Sequence, residues 1–254
     1  MSSENQNGSL QTTFNNAVAT VQFGHPASNS FPRQLLDRLT AEINSLSHNN
    51  AVAVIVLQSQ GVKVFCSGAS FDELLQVENE AQGTEFFSGF AHLLNAIRKC
   101  SKLIIGRVQG KAVGGGVGII AACDYVLATP ESAVKLSELA IGIGPFVIEP
   151  AVSRKIGKAA MAEMTLAAHE WKSAEWALEN KLFSEIHTAE NLDSAVVNFA
   201  QKLSAYNPEA LLEMKKIIWE GTEHWESLLV ERAAITGKLV LSDFSRNALT
   251  QFKK

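Results

Sequence analysis

Residues 108–125 read VQGKAVGGGVGIIAACDY, a strand-like segment running through Gly114, Gly115, Gly116 and Gly118 into an apolar, helix-like stretch. Glycine costs roughly 0.5–1 kcal/mol against alanine inside a helix, so four of them at a helix start need a use. Two uses fit. Backbone N–H groups in the first turn have no intrahelical partner and lie at the positive end of the helix dipole. Bare glycines let a ligand oxygen reach those amides, which suits an oxyanion that develops during reaction. Alternatively, the glycines let the helix pack closely on a strand. A phosphate cradle is excluded by spacing: no G-x-x-x-x-G-K-[ST] occurs, and the G-x-G-x-x-G pattern begun at Gly114 fails at Ile119.

The surrounding chain supplies strands and helices in alternation. AVAVIVL at 51–57 is a continuous β-branched run, the pattern of a strand covered on both faces. LQTTFNNAVATVQF at 10–23 predicts two strands around Asn15-Asn16, and Leu35, Leu36, Leu39, Ile43 and Leu46 recur at helical spacing. VKVF forms a short extended piece that ends in CSGAS, and a helix is expected over about 84–100. KLIIGRVQG and DYVLATP read as further strands, the latter stopped by Pro130, and helical periodicity dominates from 150 onward. The pattern is that of an α/β domain with helices added on its C-terminal side. No sequence repeat of fixed period is evident.

The 254 residues suffice for a substantial core, and 46% apolar with 19% charged residues is ordinary globular composition. A net charge of −4 offers no general attraction for nucleic acid or an anionic membrane. Cys66, Cys100 and Cys123 are widely spaced, so reduced thiols are expected rather than a disulfide framework. MSSENQNGS contains no apolar segment of the secretory type, and a cytoplasmic location is expected. The six histidines show no metal-ligand spacing, and no metal is expected.

FCSGAS at 65–70 is a second loop at a strand end, with a small residue before glycine. Two such loops can each offer one N–H to a common carbonyl oxygen. FCSGASFDEL resembles the F-x-A-G-A-D-L loop of the crotonase superfamily, the enoyl-CoA hydratases and isomerases. KLIIGRVQGKAVGGGVGIIAACDYVLA is similar to that family's K-P-x-I-A-x-V-x-G-x-A-x-G-G-G-x-E-L-x-x-x-C-D, and SAVKLSELAIGIGP to its A-x-F-x-x-P-E-x-x-x-G. EMTLAAHEWKSAEWALENKLFSEI matches a later helix-loop-helix, so the likeness spans nearly the whole chain.

The resemblance implies an α/β spiral of ββα turns and a C-terminal helical trimerisation region, divided here at 1–195 and 196–254. It implies a coenzyme A thioester substrate of fatty acid metabolism, no separate cofactor, and a homotrimer or dimer of trimers. By position, the amides of Ser67 and Gly115 form the oxyanion hole, and Cys66, Gly68 and Ala69 border the thioester. The tail with Lys253 resembles the basic tails that contact the nucleotide of coenzyme A, and it fits a solvated chain end equally. Family hydratases carry two glutamates. One is retained as Glu138; the other position, three residues after Gly115 on the same helix face, is Gly118. Hydration needs one group to activate water and a proton for the α-carbon, whereas moving a double bond from C3 to C2 needs one base. Δ3,Δ2-enoyl-CoA isomerisation is therefore favoured. The alternatives are a hydratase of enoyl-CoA or methylglutaconyl-CoA type using Glu149 as a relocated second acid, and a non-catalytic thioester-binding protein. Glu149 also fits a helix-start carboxylate favoured by the dipole. A catalytic Glu138 is expected to be buried against Leu139 and Ile141 with a raised pKa.

Overall fold

The computed structural model describes residues 7–252. Its first elements are β1 (Ser9–Asn15), β2 (Val18–Gly24) and α1 (Arg33–His48). Three strand–strand–helix turns follow. The first comprises β3 (Val54–Ser59), β4 (Val64–Cys66), the short α2 (Phe71–Leu74) and α3 (Glu80–Lys99). The second is β5 (Leu103–Val108), β6 (Lys111–Val113) and α4 (Gly115–Ala122). The third is β7 (Tyr125–Ala128), β8 (Ala133–Lys135), a 3₁₀ turn at Glu138–Ile141 and α5 (Glu149–Leu166). β9 (Lys172–Ser173), α6 (Ala174–Glu179) and β10 (Glu185–Ile186) close the spiral. Last come α7 (Ala189–Ser204), α8 (Pro208–Ile218), α9 (Trp225–Leu239) and α10 (Asp243–Phe252).

The spiral deals its strands into two sheets. One runs β1-β2-β3-β5-β7-β10, antiparallel at β1/β2 and parallel beyond. The other runs β4-β6-β8-β9, parallel except at β8/β9. The predicted turn at Asn15-Asn16 is a hairpin in which Asn16 takes a left-handed φ of 52°. The β-branched run at 51–57 is covered on both faces: Ile55 and Leu57 enter the main core, while Val54 and Val56 meet Leu192, Val196 and Ala200 of α7. That packing corrects the boundary placed between 195 and 196. The division cuts through α7, whose apolar stripe is bound to the first sheet on both sides of the cut.

The later helices dock by close approach and by one buried ion pair. A Cβ on Gly83 in α3 would stand 2.6 Å from the carbonyl oxygen of Gly237 in α9, so the two backbones meet where both residues lack a side chain. Between α4 and β7, Asp124 accepts hydrogen bonds from Lys215 Nζ (2.6 Å), Trp219 Nε1 (2.8 Å) and the Ile104 N–H (2.7 Å). The Lys215 and Asp124 side chains are 3% and 6% exposed. Among the described residues no helix is long and apolar enough to cross a membrane.

Lys215→Ala removes the counter-ion of a buried carboxylate and is expected to cost about 3–5 kcal/mol. The readout is a lower urea midpoint at unchanged slope; a midpoint equal to wild type would deny this pair any part in holding α8.

Candidate functional site

Parallel register brings three loops together. Cys66 pairs with Ala112, and Ala112 with Val134, so β4, β6 and β8 end side by side. The loops that leave them carry Ser67–Ala69, Gly114–Gly115 and Ser137–Glu138, and all seven residues line one pocket. Its remaining walls are apolar, with Phe71, Phe87, Phe90, Ile141, Val147 and Ile148 among them. The pocket encloses about 570 Å³, its open mouth included, a size that suits a small ligand.

Each glycine of the run answers to a different neighbour. Gly114 has φ 54° and ψ −120°, a backbone conformation that side chains resist, and a Cβ there would lie 2.8 Å from Glu138 Oε1. A Cβ on Gly115 would overlap the Phe90 ring, and one on Gly116 would sit 2.7 Å from Cys66 Cβ. At Gly118 it would meet the Ile148 side chain, 2.6 Å from Ile148 Cβ. Close packing and bare amides, the two uses open from sequence, thus occur in the same four residues.

The loop amides depart from expectation. The Ser67 N–H donates to the Ser28 carbonyl at 3.1 Å and its hydroxyl to the Ala27 carbonyl at 3.3 Å, so Ser67 is already committed to the neighbouring loop. Two residues on, Ala69 lies in a parallel bridge with Phe31. The Phe31 N–H bonds to the Gly68 carbonyl and the Ser70 N–H to the Phe31 carbonyl. That pattern leaves the Ala69 N–H without an acceptor among the described residues. Gly115, at the first position of α4, is likewise without one. The two loops touch: a Cβ on Gly68 would come within 3.8 Å of the Gly115 nitrogen. The free loop donor is therefore Ala69, not Ser67. Sequence carried little warning, because a register irregularity between Val64 and Cys66 shifts the chain as it enters the loop.

Cys66 does not border the pocket. Its side chain is fully buried against Gly116, its sulfur accepts the Gly68 N–H at 3.2 Å, and burial pushes the thiol up to about 12. Lys253 lies outside the described residues.

Glu138 opens its 3₁₀ turn, which closes at Gly142 with φ 81°. Its Oε2 is buried with no hydrogen-bond partner among the described residues, and desolvation raises its pKa to about 7. Of its expected apolar neighbours, Ile141 is 6% exposed, but Leu139 is 41% exposed and turns outward. The turn is buttressed from far along the chain: a Cβ on Gly142 would stand 2.5 Å from Phe244 and Ser245 of α10.

Glu149 has the opposite environment. Burial alone would raise its pKa, but hydrogen bonds from Ser153 and Arg232, with the Arg232 charge, hold it below the usual carboxylate range. It is absent from the pocket lining, where Val147 and Ile148 stand instead. Glu149 is thus the helix-start carboxylate in the first turn of α5, paired with Arg232, and the alternative of a relocated second acid finds no support in the pocket. Glu73, just past the Ser67–Ala69 loop, is half-buried and accepts the Arg33 N–H at 2.7 Å.

A two-sheet ββα spiral, with its pocket at the ends of three parallel strands, defines the crotonase fold. Residues 13–249 match the family model for enoyl-CoA hydratase/isomerase, and the chain belongs to that family. It is 28% identical over 236 residues to a mitochondrial enoyl-CoA hydratase from Pongo abelii, covering 92% of this chain and 78% of that protein. It is 25% identical over 197 residues to a peroxisomal Delta(3,5)-Delta(2,4)-dienoyl-CoA isomerase from Arabidopsis thaliana, covering 71% and 69%. The crystal structure of enoyl-CoA hydratase from Bacillus halodurans superposes with a TM-score of 0.87 at 21% identity, covering 95% of this chain and 99% of that one.

The raised pKa of Glu138 makes a stability prediction. A carboxyl that titrates near 7 when folded and near 4.5 otherwise favours the native state fully below pH 4.5, and that contribution is lost as pH rises to about 7. Glu138→Gln stays neutral throughout. Its melting temperature is expected to gain on wild type across this window and hold the gain above it, corresponding to about 1–3 kcal/mol. Parallel melting curves at every pH would contradict a desolvated carboxyl.

Proposed function

We propose that the protein isomerises 3-enoyl-CoA thioesters to 2-enoyl-CoA thioesters. The reading rests on one observation: among the described residues, Glu138 is the carboxyl in the wall of this apolar pocket, desolvated and with Oε2 unpartnered, beside two backbone N–H groups that have no acceptor. The thioester oxygen lies against the N–H groups of Ala69 and Gly115. Ionised Glu138 removes a proton at C2, and the electron pair moves onto the carbonyl oxygen as an enolate held by those donors. The dienolate collapses with the double bond at C2–C3, and Glu138 returns the proton at C4. One residue both takes and gives the proton, which a pKa near 7 permits with little penalty in either direction.

Hydration asks for more. Water must be activated at C3, and the helix face that would carry a second acid holds Gly118 with Ile148 packed on it. Glu149, tied to Arg232 outside the pocket lining, does not make up the loss. The names of the relatives include both a hydratase and an isomerase, so they leave the choice to the site.

The test is a matched panel of 2-enoyl and 3-enoyl thioesters. We expect 3-enoyl-CoA turnover with kcat/KM rising with pH and levelling above about 7, because the base must be ionised. Glu138→Gln should lower kcat by about 10²–10⁴-fold while thioester binding persists. Faster water addition to crotonyl-CoA than isomerisation would overturn the reading, and binding without turnover would mark a non-catalytic protein.

A further inference from the structure

We infer that Ile148 ends the acyl pocket and restricts the enzyme to short-chain 3-enoyl thioesters; this builds on the acyl-CoA reading above. Gly115 and Gly118 share one face of α4 and are separated by about 4.5 Å along the helix axis. Ile148 is seated on Gly118, with its Cβ 2.6 Å from the place where a Cβ of residue 118 would be. It therefore stands about one helical turn from the amide proposed to hold the thioester oxygen. An extended chain advances about 1.2 Å per bond, so about four bonds beyond the carbonyl bring the acyl group against this side chain.

Nothing about Ile148 allows it to retreat. It is 4% exposed, and its carbonyl accepts the Val152 N–H at 3.1 Å, which fixes its backbone at the entry to α5. A β-branched side chain is stiff at χ1, and a well-packed surround transmits any displacement. On the other side of Gly115, the Phe90 ring fills the space a side chain would take, and Phe90 and Phe87 are 3% and 7% exposed. Val147, also lining the pocket, is 5% exposed. Buried side chains thus stand together around Gly115 and Gly118, and an acyl chain that runs along α4 from Gly115 meets Ile148. The last glycine of the run acquires a second use: it leaves room for the residue that stops the substrate.

Two panels test this. The first follows turnover of 3-hexenoyl-, 3-octenoyl- and 3-decenoyl-CoA; the second follows binding of butyryl-, hexanoyl-, octanoyl- and decanoyl-CoA. For the wild type we expect kcat/KM to fall by at least about tenfold from hexenoyl to decenoyl, with binding falling in parallel. Ile148→Ala should move both optima toward longer chains, and Ile148→Val, the milder variant, should move them less in the same direction. Equal handling of all lengths by wild type would overturn the inference, as would an unchanged profile in a folded Ile148→Val or Ile148→Ala protein. If no 3-enoyl thioester turns over but saturated thioesters still show the cutoff and its shift, the isomerase reading fails and the length limit stands.

Discussion

The parallel pairing of β4, β6 and β8 is the constraint on which the site depends. Cys66, Ala112 and Val134 form one row across the second sheet, and all three are fully buried. Because the strands point the same way, their loops leave at one edge. Parallel strands need long crossovers, and here each crossover returns through the other sheet. A small displacement of that row would separate the two bare amides from the carboxyl, although they lie far apart in sequence.

The pocket wins its chemistry by withholding partners. Glu138 in its wall and Glu149 outside it have contrasting neighbours. Glu149 is met by Arg232 and Ser153 and stays ionised. Glu138 has a buried oxygen with no partner among the described residues and is held near neutrality in its titration. The same side-chain type is a paired helix-start anchor in one place and a desolvated carboxyl in the pocket wall in the other.

Much of the architecture was legible because local sequence and tertiary packing agree. The run at 51–57 is β-branched and is covered on both faces, and the leucines of α1 face the core at the spacing that predicted them. Where reading failed, the deciding partner was remote or the pattern too short. β9 and β10 are two residues each, below any periodicity. The resemblance points to the Ser67 amide, but neither its contact with Ser28 nor the irregularity in β4 is written locally. The fate of Glu149 depends on Arg232, which arrives four helices later. In sequence Gly118 shows only the loss of an acid; its contact with Ile148 reveals that the vacated space is filled.

The seating of α10 on Gly142 carries an implication for biosynthesis. As the chain leaves the ribosome, the loops with the bare amides and the turn at Glu138–Ile141 emerge long before Phe244 and Ser245, the residues that press against the end of that turn. A nascent polypeptide can therefore wind its spiral early yet leave the turn that carries Glu138 unsupported until the final described helix folds back to brace it.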